Sequence, residues 1–438
     1  MVKRFIVFAS ISIAALSCSN VDLTTSVEPM PIAQKSVSLN RSVQDALEIA
    51  IKSREDFLGT STRSRDGKDI VDPGNVFVKT KLSTRSDNAI DSLYYVVNFP
   101  ENSGFAVIAA NKNEEALIAI TIKGSFYGEP TGVYGFDLYM EETEKRLAES
   151  SKIAPQQGPD EMVTIICDTV SVVNEDMPPM INIAWHQREP FNLFCSKPFD
   201  MDITAGCPAI AVAQAMAYYQ YPKELTLTYP GHDVDKVSLL WENMIGHSDP
   251  VYDDCEYCHM NGHLVREVGE RLGTKYGNDS YIPDPVVIKN RIGSLGFTCD
   301  NYVLFESSSV VNSLKDGHPV ILSGLSKHVN SDGSRDGHIW NVFGYRRFYQ
   351  RLQYYTRVEG KRPVEMDAGY SITEQHYLYM NYGHGGFDDG YILSYHKQVD
   401  SGFKVYDGGT SEKLIVSVFE GDFNYDVRML TNFRLIEQ

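Results

Sequence analysis

One stretch limits what this chain can become. Residues 207–221 read CPAIAVAQAMAYYQY, directly after Gly206. The run predicts a strong helix over 208–221, with Pro208 in the first turn, where no backbone N–H is needed. Cys207 then sits at a helix N-terminus. Aligned peptide dipoles there favour an anion, and thiols so placed have lowered pKa values. A thiolate is the reactive form of cysteine, so the position suits a nucleophile. A small Cys packed under a helix start is the commoner use of such a residue, and the local sequence alone leaves both readings open.

A partner for the thiol lies far downstream. Gly337-His338-Ile339-Trp340 opens a strand-like segment that ends at Gly344-Tyr345. A single Cys with a distant downstream His is the arrangement of papain-type nucleophiles; the His would take the thiol proton and return it to the leaving amine. Asn381, in the segment MNYGHGGF, could accept from the imidazole and fix its tautomer. Gln187, in WHQ upstream of the Cys, could pair its side-chain N–H with the Cys207 backbone N–H as an oxyanion hole. Either amide is also at home as an ordinary loop residue, and the Cys–His pair is what raises them to candidates.

The 438 residues suggest two or three domains. Lys3 and Arg4, the apolar run from Phe5 to Leu16, and Ser17-Cys18 read as an export signal, too short to span a bilayer. Small residues before Cys18 resemble a bacterial lipobox, which would make Cys18 a lipid anchor and the protein an outer-membrane lipoprotein; cleavage near Ser17 would make it secreted. Residues 19–40 read as a tether. Ser42 is a predicted N-cap for a helix ending near Gly59. The runs at 76–82, 93–99, 104–110 and 117–127 suggest an antiparallel sheet, and a helix near 136–151 closes the unit. Residues 152–180 form the expected boundary. Beyond it come helices at 208–221, near 262–275 and near 285–295, then strands: an α+β order. A net charge of −18 argues against nucleic acid as a partner.

With these motifs in order, the chain resembles the streptopain family of cysteine peptidases. Trp185 to Asn192 is similar to W-x-Q-x-x-P-[YF]-N, and Ala205 to Pro222 to the nucleophile segment. Gly337 to Tyr345 resembles G-H-A-W-V-x-D-G-Y, Asn381 to Gly386 resembles N-W-G-W-G-G, and Phe423-Asn424-Tyr425 a C-terminal F-N-Y. The resemblance implies a papain-like α+β protease domain over 181–438, preceded over 41–165 by a small α+β prodomain with an antiparallel sheet. It implies an endopeptidase that cuts protein or peptide substrates, needs no cofactor, and is made as a zymogen with its own prodomain as inhibitor. Asn341, Phe343, Tyr382 and His384 depart from the family Val, Asp and two Trp, which bears on efficiency more than on mechanism.

Three competing readings stay open. The same fold could serve an amidase or transglutaminase, or a surface lipoprotein that binds rather than cuts. Cys255-x-x-Cys258-His259, with His263, fits haem-attachment and zinc-ligand spacings, as well as a disulfide or plain thiols. His232, His247 and His328 read as solvated.

Overall fold

The computed structural model describes residues 40–59, 75–80, 92–112, 114–150, 164–195, 203–232, 234–246, 255–325, 337–357, 366–400, 416–422 and 427–436. The export segment with Cys18, the tether to residue 39, His247, His328 and Phe423–Tyr425 lie outside the described residues. No helix among those described is long and apolar enough to cross a membrane.

Seven helices are described: α1 Val43–Leu58, α2 Tyr134–Ser150, α3 Cys207–Tyr219, α4 Trp241–Gly246, α5 Glu256–Leu272, α6 Val286–Arg291 and α7 Ser307–Lys315. Local chemistry sets their ends. Ser42 Oγ accepts from Asp45 N–H at 3.1 Å, while the Asp45 carboxylate accepts from Ser42 N–H at 2.8 Å, a reciprocal cap on α1. The Cys255 sulfur caps α5 by accepting from Cys258 N–H, and Cys255 is disulfide-bonded to Cys258.

The strands are β1 Val76–Thr80, β2 Ser92–Asn98, β3 Phe105–Ala109, β4 Leu117–Thr121, β5 Thr164–Met177, β6 Glu224–Thr226, β7 Lys236–Ser238, β8 Phe297–Thr298, β9 Val303–Leu304, β10 Val320–Leu325, β11 Gly337–Arg357, β12 Met366–Asn381, β13 Gly390–Asp400, β14 Val416–Asp422, β15 Arg428–Leu430 and β16 Arg434–Leu435. Twelve of them share one antiparallel sheet. Its path runs β1-β2-β3-β4-β13-β12-β11-β10-β15-β9, with β14 on β13 and β5 on β11.

Two features differ from the sequence reading. The N-terminal strands were expected to make a sheet of their own; they instead continue the C-terminal sheet, through Thr121 opposite Gly390, Ile120 opposite Tyr391 and Ala119 opposite Ile392. Edge strands carry unpaired N–H and C=O groups, so joining two edges satisfies both. Gly390 makes the approach possible, because a Cβ there would strike the Ile120 carbonyl. The stretch 152–180, read as a boundary, contains β5, which pairs along β11 from Arg357 opposite Thr164 to Tyr345 opposite Met177. Its Val- and Ile-rich text is a strand signal that its polar neighbours obscured.

Strand side chains alternate between faces. Ile339, Asn341, Tyr379 and Tyr391 face the layer of α1, α3 and α5, where Trp185, Ile210 and Leu264 are buried. Trp340, Val342, Met380 and Ile392 face the layer of α2 and α7, with Phe136, Met140 and Val310. Both cores mix residues from before and after the expected boundary. Pleat parity puts His338 on the same face as Trp340, toward α2.

Candidate active site

The turn into α3 is held from outside the helix. Thr204 N–H donates to the Gly277 carbonyl at 3.0 Å, Ser280 N–H to Thr204 Oγ1 at 3.0 Å, and Ser280 Oγ to the Thr204 carbonyl at 2.6 Å. Gly206 follows with φ of 90°, a left-handed conformation open to glycine at little cost. Cys207 begins the helix, and every residue from Pro208 to Ala217 is buried. Ser280 and Thr204 carry no motif, and sequence reading missed them.

The thiol does not have the lowered pKa expected of a helix start. Cys207 as a residue is half-buried, but its sulfur lies among protein atoms. Burial pushes the thiol up to about 12, against the opposing effect of the N–H groups of Ile339 and of Cys207 itself. In this arrangement desolvation outweighs those two N–H contacts. The Ile339 contact is still informative, because it brings the residue after His338 to the sulfur.

His338 is 3% exposed. Its Nε2 donates to the Tyr382 carbonyl at 2.8 Å, and its ring lies 6.1 Å from that of Trp340 and 6.5 Å from that of Tyr134 on α2. Burial is the main cause that holds the imidazole down at about 4. Among the described residues no hydrogen bond joins His338 to Cys207. The helix α2 approaches closely: a Cβ at Gly135 would lie 2.5 Å from Tyr382 Cδ1 and 3.1 Å from His338 Cδ2.

Asn381 is brought to the site but does not meet the imidazole, a correction to the expected contact. Its Oδ1 accepts from Gln214 Nε2 at 3.0 Å and from Gly383 N–H at 3.1 Å, and its Nδ2 donates to the Ile183 carbonyl at 2.7 Å. Buried amides take the nearest full set of partners, and here those lie in α3 and its own loop. Gln214 Oε1 in turn accepts from Asn341 Nδ2 at 2.9 Å, which also donates to the Ala211 carbonyl. Thus Asn341, a departure from the family pattern, belongs to a buried amide chain linking α3, β11 and β12. Gln214 was overlooked, although it is the only amide within α3, whose residues from Pro208 to Ala217 are otherwise apolar, a signal for a buried polar partner.

Gln187 is half-buried, and its carbonyl accepts from Ala205 N–H at 2.9 Å, which sets it beside the approach to Cys207. Tyr382, where the family has Trp, is 1% exposed and packs its ring 6.0 Å from Trp340. Phe343 is fully buried, and its carbonyl accepts from Met180 N–H.

The Cys255-x-x-Cys258 motif resolves as a disulfide, and no metal-binding cluster is found among the described residues. His263 stacks on Phe194 at 4.0 Å and meets Tyr229 Oη through Nδ1. His232, expected to be solvated, is half-buried, with its ring 5.3 Å from that of Tyr229.

Among solved structures, a prointerpain A fragment of Prevotella intermedia is similar over 82% of this chain and 98% of its own, at 16% identity and a TM-score of 0.46. Active wild-type interpain A cysteine protease of the same organism is similar over 58% of this chain and 94% of its own, at 19% identity and a TM-score of 0.35. No curated protein matches. Residues 185–392, which hold Gln187, Cys207, His338 and Asn381, match the model described as the Peptidase C10 family. By that match residues 185–392 are a Peptidase C10 family domain, and the chain is a cysteine peptidase.

Proposed function

We propose that the chain is the precursor of an endopeptidase in which Cys207 and His338 act as a dyad, held inactive by the unit that precedes residue 164. The observation that carries the reading is the position of His338: one residue from a backbone group that touches the thiol, yet turned to the Tyr382 carbonyl under α2. A neutral thiol and a neutral imidazole facing apart cannot transfer a proton.

Once α2 leaves, His338 regains solvent and can swing toward the sulfur. The Cys207 thiolate then attacks the scissile carbonyl, and the imidazolium protonates the departing amine. Gln187 and the Cys207 N–H receive the oxyanion. Asn381 acts on the base through its loop, by fixing Gly383 and therefore the carbonyl of Tyr382 between them. The N-terminal text from Lys3 to Cys18 supports export, with Cys18 as a lipid anchor. Proteins or peptides are the substrates, and no cofactor enters the chemistry.

Purified Cys207→Ala precursor tests this. It should stay full length on prolonged incubation and be trimmed in trans by a trace of active enzyme. Self-trimming of the inert precursor at the wild-type rate, or full wild-type activity before any cut, overturns the reading.

A further inference from the structure

The rim of the cleft carries two imidazoles that peptide cleavage by the dyad leaves unused. His384 stands on the loop after Tyr382, open to solvent along one side while its ring is crowded by neighbouring protein atoms, at a position where the family pattern has Trp. Gly385 N–H of that loop donates to the Trp185 carbonyl at 3.1 Å. A Cβ at Gly383 would lie 3.0 Å from Ile210 Cγ2 in the first turn of α3, and one at Gly385 would lie 3.6 Å from His186 Cδ2. The loop 383–385 therefore lies along both the start of the Cys207 helix and the strand of chain leading to Gln187. His186 and His384 meet there, near enough for their charges to repel.

The two rings are not equivalent. His186 Nδ1 accepts from Arg188 N–H at 3.2 Å, which assigns its ring proton to Nε2 and favours the neutral form. His384 is left as the ring that takes up charge. Its other charged neighbours are known. His338 repels it, Asp137 on α2 favours its charged form, and Lys123 donates to the Gly385 carbonyl. Arg188 and Glu189 follow in the neighbouring turn, while Asp388 and Asp389 are buried at the end of the loop. The Asp137 carboxylate accepts from Thr131 N–H, Thr131 Oγ1 and Gly132 N–H and acts on His384 only through its charge; Asp137 and Lys123 belong to the N-terminal unit, so on the proposed reading that charge is lost on activation.

We propose that His384, with His186 beside it, forms a subsite for an acidic side chain of the substrate, an Asp or Glu flanking the scissile bond, and that Asp137 supplies the matching charge in the precursor. This rests on the Cys207–His338 reading above. In a chain with a net charge of −18, a cationic group at the cleft rim gives local attraction where the overall field opposes an acidic peptide. Burial and the His186 charge hold His384 below its ordinary range in the precursor; departure of α2 removes part of that burial, and a bound carboxylate favours the charged ring. The charged form exists below the imidazole pKa, and the substrate carboxylate is ionised above its own. The attraction therefore operates between the titration of the substrate carboxylate and that of the His384 ring, and disappears at higher pH.

The test uses enzyme generated from the full chain by its own activation, and matched peptides with Glu or Gln at each position flanking the scissile bond. At one position the Glu-to-Gln ratio of kcat/KM should rise about fivefold between pH 8 and pH 5.5, the upper range for an exposed ion pair. The ratio cancels the titration of Cys207 and His338, which both peptides share. His384→Gln should flatten the pH dependence, and His384→Arg should hold the Glu preference at pH 8 as well. A flat ratio at every position in the wild type, or a pH-dependent ratio that survives His384→Gln, overturns the subsite. Cleavage of the Gln peptides that depends on Cys207 alongside a flat ratio overturns the subsite alone. Failure to cut any peptide overturns the dyad reading, and this one with it.

Discussion

His338 donates its Nε2–H to the backbone carbonyl of Tyr382 across 2.8 Å. The bond ties the candidate base to the residue after Asn381, and Asn381 itself is engaged by Gln214, Gly383 and Ile183. On the proposed precursor reading, activation is a change of partner for one imidazole, and α2, whose Gly135 lies against both Tyr382 and His338, is the element that must move first.

Gly135→Ala should loosen the latent form. The added methyl would meet Tyr382 and His338, and overpacking of this kind costs about 1–3 kcal/mol. The expected result is a shorter lag before activation and measurable peptide cleavage by uncut precursor. A wild-type lag would show that α2 does not restrain the site.

Gly390→Ala attacks the same docking from a distance. Its methyl would strike the Ile120 carbonyl of β4 and break the three-pair join between β4 and β13. Amide exchange at residues 119–121 and 390–392 should rise in the precursor. The activated enzyme, which lacks β4, should keep its kcat. If exchange stays low, the two sheets are not joined as described.

Alkylation reports the state of the thiol. With Cys207 pushed up to about 12, its thiolate fraction in the precursor is small at neutral pH and grows as pH rises toward that value. Iodoacetamide should modify Cys207 at least about tenfold more slowly in precursor than in activated enzyme at pH 7, if release of burial restores an ordinary thiol or better. Cys195, pushed up to about 12, and Cys299, up to about 11, serve as unreactive internal references. Equal Cys207 rates before and after the cut would contradict the buried arrangement.

Gln214→Ala removes the shared partner of Asn381 and Asn341. Leaving buried amides unsatisfied costs about 1–3 kcal/mol, to be seen as a lower urea midpoint. Asn381→Ala should destabilise similarly but leave activity clearly above the Cys207→Ala background, since its oxygen does not touch the imidazole. Complete inactivity of a folded Asn381→Ala enzyme would restore the direct contact.

Much of the fold was readable because local chemistry announced it. Ser42 with Asp45, the Val- and Tyr-rich runs of β1 to β4, and Pro208 after Cys207 each name their own structure. Features that depend on distant partners were not readable. Nothing in the text of β4 shows that its edge will meet β13. The helix α7, SSSVVNSLK, stands where the sequence analysis expects only strands, and it forms where Val310, Val311 and Leu314 find a core. The depressed thiol pKa failed for the same reason: a helix start is local, whereas burial under another layer is not. Asn381 was placed correctly in the chain, but its partner Gln214 is set by the packing of α3 on the sheet.

The join between β4 and β13 gives the proposed activation cut a second meaning. While the chain is whole, docking is a unimolecular matter and independent of how much protein is present. After the cut, the same surfaces become two molecules in a bimolecular equilibrium. In the whole chain both cores span the join, with Tyr377 Oη donating to the Leu117 carbonyl. On the proposed reading, the severed pair then dissociates on dilution and reassembles at high concentration, so release of the peptidase would read its own local abundance.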